Sequence, residues 1–371
     1  MGYSYSDSER RIRCFADTKI FIIPKGDKDM EEDMKLDEEV RSFYDTFSYP
    51  YPSVKSSGTI NGVAYLRLLD LELGRTQFAG CRILDAGCGT GHRTIDIARQ
   101  FPEANVLGID LSPRSIQVAI KQAGSDGVSN VSFQEGDLLQ LADTGKYDLI
   151  LANGVLHHLL DPAAGLRCLA EGINEKGALI VWLFHTYGEH DRLLQRRAIK
   201  TLLQDDWGDL SRGLSLIRGM NLKISRSRYG RDYSGEVGEE DEAVLDADAF
   251  LNPRVRTFHF EEALALLTTS HLEWGAVEHI NYEGGGSLIS LNKATARPWT
   301  FNTDSILPGD DAKRRFEQLP IPKQLKIIEQ LVRPTGFTLV AGGAQSLLKD
   351  STRVRSNVAY QRESPCTTDA Q

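Results

Sequence analysis

Cysteine is scarce in this chain and never falls at C-x-x-C spacing: Cys14, Cys81, Cys88, Cys168 and Cys366 are scattered and odd in number. That excludes a disulfide framework and the common zinc spacings, so the expectation is a reducing, cytoplasmic setting and no metal. No apolar run approaches the roughly 20 residues that a membrane helix needs, and no secretory signal opens the sequence. Met1-Gly2 with Ser6 fits the myristoylation pattern only formally, as many chains starting Met-Gly do. Positive charge is not in excess either, and a net charge of −9 argues against a dedicated nucleic-acid binder. No internal repeat is visible. What remains is the composition of a soluble globular protein, 41% hydrophobic and 26% charged. Its 371 residues are enough for one substantial core with appendages.

The most informative stretch runs from Arg82 to Thr94. Ile83-Leu84 reads as a short buried strand, which breaks into glycines at alternate positions, Gly87, Gly89 and Gly91, before a helical pattern begins at Thr94. A turn that sharp needs residues without a Cβ, and it lets a ligand press against the backbone and the free N–H groups of the helix start. The spacing is not the G-x-G-x-x-G of dinucleotide enzymes. Asp85 stands at the strand tip just before it.

Downstream, strands and helices alternate. Val106 to Asp110 is a second apolar strand, followed by Ser112-Pro113 as a helix N-cap and first turn. Asn130 to Asp137 contains a third strand, Tyr147 to Ala152 a fourth, and Ala178 to Leu183 a fifth after a helix opened by Asp161-Pro162. This spacing predicts a doubly wound, mostly parallel α/β sheet covered on both faces, whose ligand sits at the carboxyl ends of the strands. Asp110, nineteen residues beyond Gly91, is placed to accept from ribose hydroxyls. The alternation stops after His185. A basic, mostly helical stretch from Arg192 to Arg231 and an acidic run from Glu236 to Asp248 look inserted before a helix at Phe260–Leu267 and a strand at Leu272–Ile280. A further helix, or a pair broken near Pro320 and Pro322, spans 311–332. Phe337–Ala341 and Ser287–Leu291 compete for the last strand. The expected organisation is an N-terminal arm (1–57), a cofactor-binding core (58–185), a helical insertion acting as substrate lid (186–250), a C-terminal completion of the sheet (251–350) and a flexible tail (351–371). In the arm, Phe43 to Pro52 reads as an extended aromatic segment, and beyond the arm Gly62–Leu73 reads as an amphipathic helix leading into the first strand.

Asp85, the three alternate glycines and the acids at the following strand ends resemble the motifs of the class I S-adenosylmethionine-dependent methyltransferases, over residues 82–184. The resemblance implies a Rossmann-like seven-stranded sheet and S-adenosylmethionine as cofactor. It implies cofactor contacts from Asp85, Gly87, Cys88, Gly89 and Gly91, from Asp110 and Leu111, from Asp137 and Leu138 at the adenine, and from Asn153 and Gly154 near the methyl. The segment Leu156-His157-His158-Leu159 is similar to that of small-molecule methyltransferases and departs from the Asn-Pro-Pro-Tyr type of amino-methylating DNA enzymes, so DNA is not the expected acceptor. One of His157 and His158 packs against cofactor or core. The other is a candidate general base, since imidazole titrates near neutrality. Tyr44 and Tyr49 could cap the pocket, and His185 and Tyr187, with His190 and Gln195, lie where substrate contacts are common. The insertion and the Phe250-Leu251-Asn252-Pro253 that closes it are similar to a bacterial branch with a Tyr-Pro-rich arm, from which no substrate residue carries over.

The expected function is methyl transfer to a small-molecule acceptor. A protein or RNA acceptor, a nicotinamide-dependent oxidoreductase and a cofactor-binding protein without turnover stay open, as do the methylated atom and the oligomeric state.

Overall fold

The computed structural model describes residues 10–14, 20–24, 27–50, 79–144, 146–222, 239–270, 272–281, 289–292, 297–301, 306–343, 345–346 and 359–361. The apolar runs become strands because they are buried on both faces. In β3 (Arg82–Ala86), the side chains of Ile83, Leu84 and Ala86 are fully inaccessible, as continuous apolar runs of a parallel sheet must be. Two short strands precede it, β1 (Arg10–Cys14) and β2 (Ile20–Pro24), which pair with each other. Beyond it come β4 (Asn105–Asp110), β5 (Val131–Glu135), β6 (Tyr147–Asn153) and β7 (Ile173–Phe184). The five strands β5-β4-β3-β6-β7 lie side by side in that order and run parallel. The order reverses between β3 and β6, which opens a crevice at their carboxyl ends.

The sheet continues through β11 (Gly336–Gly342), antiparallel to both of its neighbours, β7 and β8 (Trp274–Asn281). The sheet has eight strands among the described residues where seven were expected, since β12 (Ala359–Gln361) pairs with the outer edge of β8. Those three residues lie in the stretch expected to be a flexible tail. Of the two candidates for the last strand, 336–342 enters the sheet. The other, β9 (Ile289–Asn292), pairs with β10 (Arg297–Phe301) in a separate two-stranded sheet.

Helix starts follow their caps. In α3 (Pro113–Ser125), Ser112 Oγ accepts from the Ser115 N–H at 3.1 Å, with proline in the first turn. In α4 (Pro162–Glu171), Asp161 accepts from the N–H groups of Ala163 and Ala164 at 2.9 and 3.0 Å. Helix α2 (His92–Gln100) has no side-chain cap, and its first turn follows Gly91 at φ 83°.

A second, smaller core lies off the sheet. Helices α5 (His190–Leu203) and α6 (Leu210–Gly219), then α7 (Glu239–Asp246) and a π turn at Ala247–Leu251, follow β7. Ile199, Leu203, Ile217, Phe250 and Leu251 from this block pack around Phe43 of α1 (Asp27–Thr46). This corrects the expectation of an extended segment from Phe43: the helix runs through Thr46, because Phe43 and Phe47 bury one face against the block. The helix expected at Gly62–Leu73 lies outside the described residues. The chain then returns through α8 (Phe260–Thr269), α9 (Asp310–Glu317) and α10 (Ile321–Val332), the last two separated at Pro320 as expected.

Candidate functional site

A cavity of about 330 Å³ opens at the carboxyl ends of β3, β4, β5 and β6 and is roofed by α1 and the π turn. Its floor is the loop after β3. Gly89, at φ +54°, lies so close to the arm that a Cβ there would meet the Tyr49 carbonyl oxygen at 2.0 Å. The arm is fastened to this loop: the Thr90 N–H donates to Tyr49 O at 3.2 Å and the Thr90 hydroxyl to Pro50 O at 2.6 Å.

Gly87, Cys88, Gly89, Asp110, Leu111, Asp137, Leu138, Asn153 and Gly154 all line this one cavity. Asp110 Oδ2 accepts from the Gly89 N–H at 2.8 Å and Oδ1 from the Ser112 N–H at 2.9 Å. A carboxylate offers about four lone-pair positions, so two remain for ligand hydroxyls. Burial raises the Asp110 pKa, and the two amide donors work against that rise. Asp137 holds the next turn through the Leu139 N–H at 2.9 Å. Burial, then the charges of Asp110 and Asp85, push the Cys88 thiol well above the ordinary range and favour its protonated form.

Asp85 and Gly91 stand differently from what the sequence suggested, outside the cavity lining. The Asp85 carboxylate is fully buried under the first turn of α2, where Arg93 Nη2 donates to it at 2.7 Å and the Thr94 hydroxyl at 2.6 Å. Arg93 reaches the cavity in its place. Gly91 serves packing, since a Cβ would lie 2.6 Å from Ala119 Cβ and 2.9 Å from the Phe133 ring.

The other end of the cavity is aromatic. His157 and His158 form a 3-10 turn directly after β6. The His157 ring is 1% exposed, stacks on Phe184 at 4.1 Å, and its Nδ1 has no hydrogen-bond partner among the described residues. Burial pushes its pKa well below 6.5, with His158 and Arg192 adding to the shift. His158 Nδ1 lies 2.6 Å from the Arg254 carbonyl oxygen, which can only accept, so this nitrogen carries the proton. Burial lowers the His158 pKa as well. The ring is therefore neutral near pH 7, with the lone pair on Nε2.

Tyr44 and Tyr49 also line the cavity. The Tyr44 hydroxyl donates to Asp248 Oδ1 at 3.0 Å and accepts from Asn252 Nδ2 at 2.8 Å. Burial, then the charge of Asp248, raises its pKa well above 10, which keeps the phenol protonated. Ser112 Oγ donates to Asp45 at 2.6 Å, so α1 is tied to both the sheet and the cap.

His185 and Tyr187 lie away from the cavity lining. Strand β7 runs on to Phe184 and the next residue bridges to Phe258, which turns His185 behind the aromatic wall. There His185 Nε2 meets Glu329 Oε2 at 3.1 Å, while its Nδ1 accepts from the Tyr187 N–H at 3.1 Å. His185, His259 and Glu329 bring ligand atoms within 4.8 Å of one another. The Tyr187 N–H assigns the His185 proton to Nε2, which donates it to Glu329, while His259 Nδ1 lies 3.5 Å from the same carboxylate oxygen. Burial opposes the Glu329 charge, yet the donors from His185 and the Phe260 N–H hold its pKa below the usual value.

The sequence reading missed Arg93, Trp182, Phe184 and Asp248, all of which line the cavity. Trp182 and Phe184 were accessible to it, being two apart near the end of a recognised strand and so on one face. Asp248 carried no signal within its acidic run.

A model described as a methyltransferase domain matches residues 77–206. An uncharacterized protein of Synechococcus sp. is 32% identical over 306 residues, covering 79% of this chain and 68% of its own length. A trans-aconitate 2-methyltransferase of Deinococcus radiodurans is 35% identical over 119 residues, 32% of this chain and 43% of that protein. This match, unlike the first, spans under half the relative's length. Among solved structures, PKMT2 from Rickettsia typhi in complex with AdoHcy shares the fold at a TM-score of 0.51 and 18% identity, covering 80% of this chain and 54% of that one. With this glycine loop at the reversal point of a mostly parallel sheet, and with these matches in sequence and fold, the chain belongs to the class I S-adenosylmethionine-dependent methyltransferases.

Proposed function

We propose that the chain transfers a methyl group from S-adenosylmethionine to a nucleophilic atom of a small-molecule acceptor. The observation that supports this best is that four successive strand tips deliver Gly87 and Gly89, Asp110, Asp137 and Asn153 to a single roofed cavity. When bound, the cofactor supplies a methyl group already activated on a sulfonium. The protein's part is to bind, align and exclude water. The glycine loop would carry the methionine portion, Asp110 the ribose through its two unused lone-pair positions, and Asp137 the adenine amine, with Leu138 packed on the ring. The faces of Tyr44 and Tyr49 suit a cationic centre. His158, with Nδ1–H fixed on Arg254 O, presents Nε2 to take the proton that a hydroxyl or amine must release.

Size favours a small acceptor. A cavity of about 330 Å³ is at the low end for small-molecule sites and has to hold part of the cofactor too. In this reading α1 and the helices after β7 act as the lid. No helix among the described residues is long and apolar enough to cross a membrane, and free Cys81, Cys88 and Cys168 suit a cytoplasmic setting.

Calorimetry against S-adenosylmethionine and NAD, followed by incubation with methyl-labelled donor and cell extract, tests the proposal. Cofactor binding with label in the small-molecule fraction is the expected result. Binding of NAD alone would reject it, label in protein or RNA would change the acceptor class, and binding without turnover on any fraction would leave a non-catalytic protein.

A further inference from the structure

The acceptor end of the cavity has a chemical preference of its own. Asp248 sits on the π turn at Ala247–Leu251, an irregularity that often marks functional positions. It is 9% exposed and lines the cavity. Both of its hydrogen bonds fall on Oδ1, from the Tyr44 hydroxyl at 3.0 Å and from Asn252 Nδ2 at 3.4 Å. Oδ2 receives none from the described residues. A carboxylate held this way is oriented from behind and left with accepting capacity in front, a costly arrangement unless a ligand completes it. His158 adds a second acceptor, since its Nδ1–H is committed to Arg254 O and only the Nε2 lone pair is left. The Asp248 charge is felt at His158, where it works against the lowering by burial.

The cations in the cavity lining are paired, and the others lie outside it. Arg254 Nη1 donates to Asp37 Oδ1 and to the His158 carbonyl oxygen, and its Nε and Nη2 are buried away from the lining. Arg41 and Arg93, the basic residues in the lining, pair with Glu135 at 3.0 Å and Asp85 at 2.7 Å. Behind the wall, Arg192 donates to Glu189 and to Ala249 O, and Arg196 to Asn252 O and Pro253 O. A carboxylate entering this end would face Asp248 without a cation assigned to it.

Resting on the methyl-transfer reading above, the geometry points to Asp248 Oδ2 and His158 Nε2 as a paired hydrogen-bond acceptor that selects acceptor molecules presenting an ammonium or hydroxyl group and rejects carboxylates. The walls set the rest of the preference. Trp182, Phe184 and the His157 ring stacked on it favour a flat apolar body behind that group.

Three probes that share a ring and one carbon, benzylamine, benzyl alcohol and benzoate, separate the classes. Each is titrated into the full-length protein saturated with S-adenosylhomocysteine, by calorimetry and ligand-observed NMR. Benzylamine is expected to bind at least about tenfold tighter than benzoate, with benzyl alcohol between them. Asp248→Asn should remove the preference of amine over carboxylate while leaving S-adenosylhomocysteine affinity unchanged. The wild-type ranking stands as a test even if that variant fails to fold. Benzoate binding as tightly as benzylamine overturns the inference, as does an unchanged preference in a folded Asp248→Asn. Failure of all three probes on the loaded protein overturns it too. Absence of S-adenosylhomocysteine binding strikes instead at the methyl-transfer reading.

Discussion

The two ends of the cavity are built in opposite ways. At the cofactor end, neighbouring strand tips hold one another: the Gly89 N–H reaches Asp110 across 21 residues, and Arg93 reaches Asp85 across eight. At the acceptor end, Tyr44 meets Asp248 and Asn252 across 204 and 208 residues, and His158 meets Arg254 across 96. The first is a rigid floor set by the sheet. The second exists only while α1, the turn after β6 and the π turn are docked together. Damage to the floor should therefore abolish binding outright, whereas damage to the wall should produce graded losses that spare the cofactor.

Gly89→Ala is the severest test. Its Cβ would sit 2.0 Å from Tyr49 O at a φ of +54°, so either the loop or the arm has to move. S-adenosylhomocysteine affinity should fall at least about 100-fold, with a lowered melting temperature. Calorimetry showing a change under threefold would mean that the close approach is not needed.

Asp110→Ala comes next. It removes the acceptor for two backbone N–H groups, each a charge-assisted bond, as well as the ribose contact proposed above. Affinity for S-adenosylhomocysteine should drop about 30- to 100-fold, and Asp110→Asn, which keeps one acceptor oxygen, should fall between. A variant that binds the cofactor normally and loses only acceptor binding would reverse the assignment of the two ends.

The same division explains how much could be read in advance. Strands 82–86, 105–110 and 147–153 were legible because buried parallel strands are apolar runs closed by a polar or glycine residue at their end or just after it, whereas 131–135, a half-exposed edge strand, was placed by the alternation of strands and helices. The floor was legible because a left-handed turn packed closely against neighbouring chain demands glycine. Asp85 was misplaced because alternation along the strand decides which acid faces the crevice, and a one-residue difference puts the side chain under α2. His185 was misplaced because the end of β7 could not be fixed to the residue. Asp248 was invisible: its partners are Tyr44 and Asn252, and nothing in an acidic run distinguishes the carboxylate that faces inward.

Tyr44→Phe probes the wall more gently. Losing the hydroxyl removes the bonds to Asp248 and Asn252, worth about 1 kcal/mol. Amide exchange at residues 40–46 should speed up about fivefold while S-adenosylhomocysteine affinity changes little. Unaltered exchange in α1 would show that the roof is held by Phe43 and its apolar contacts instead.

A test that leaves cofactor and acceptor binding aside concerns His157 and gives the comparison a sign. Burial lowers its folded pKa below 6.5, so as pH falls through 6.5 the unfolded chain takes up a proton that the folded chain refuses. Stability contributed at this position is therefore lost as pH drops, by at most about 1.4 kcal/mol per pH unit. Asp110 titrates the other way: its folded pKa is raised above 3.8, so at more acid pH the folded state binds the proton first and gains. In His157→Phe the ring stack on Phe184 is kept and an unpartnered buried Nδ1 is removed. Any cost of fitting the larger ring is the same at every pH. Urea unfolding of the two proteins at pH 8 and pH 5.5 isolates the titration, and the variant should gain on the wild type as pH falls. A gap that stays constant between the two pH values would mean that His157 charges freely in the fold, and that the acceptor wall is wetter than its burial implies.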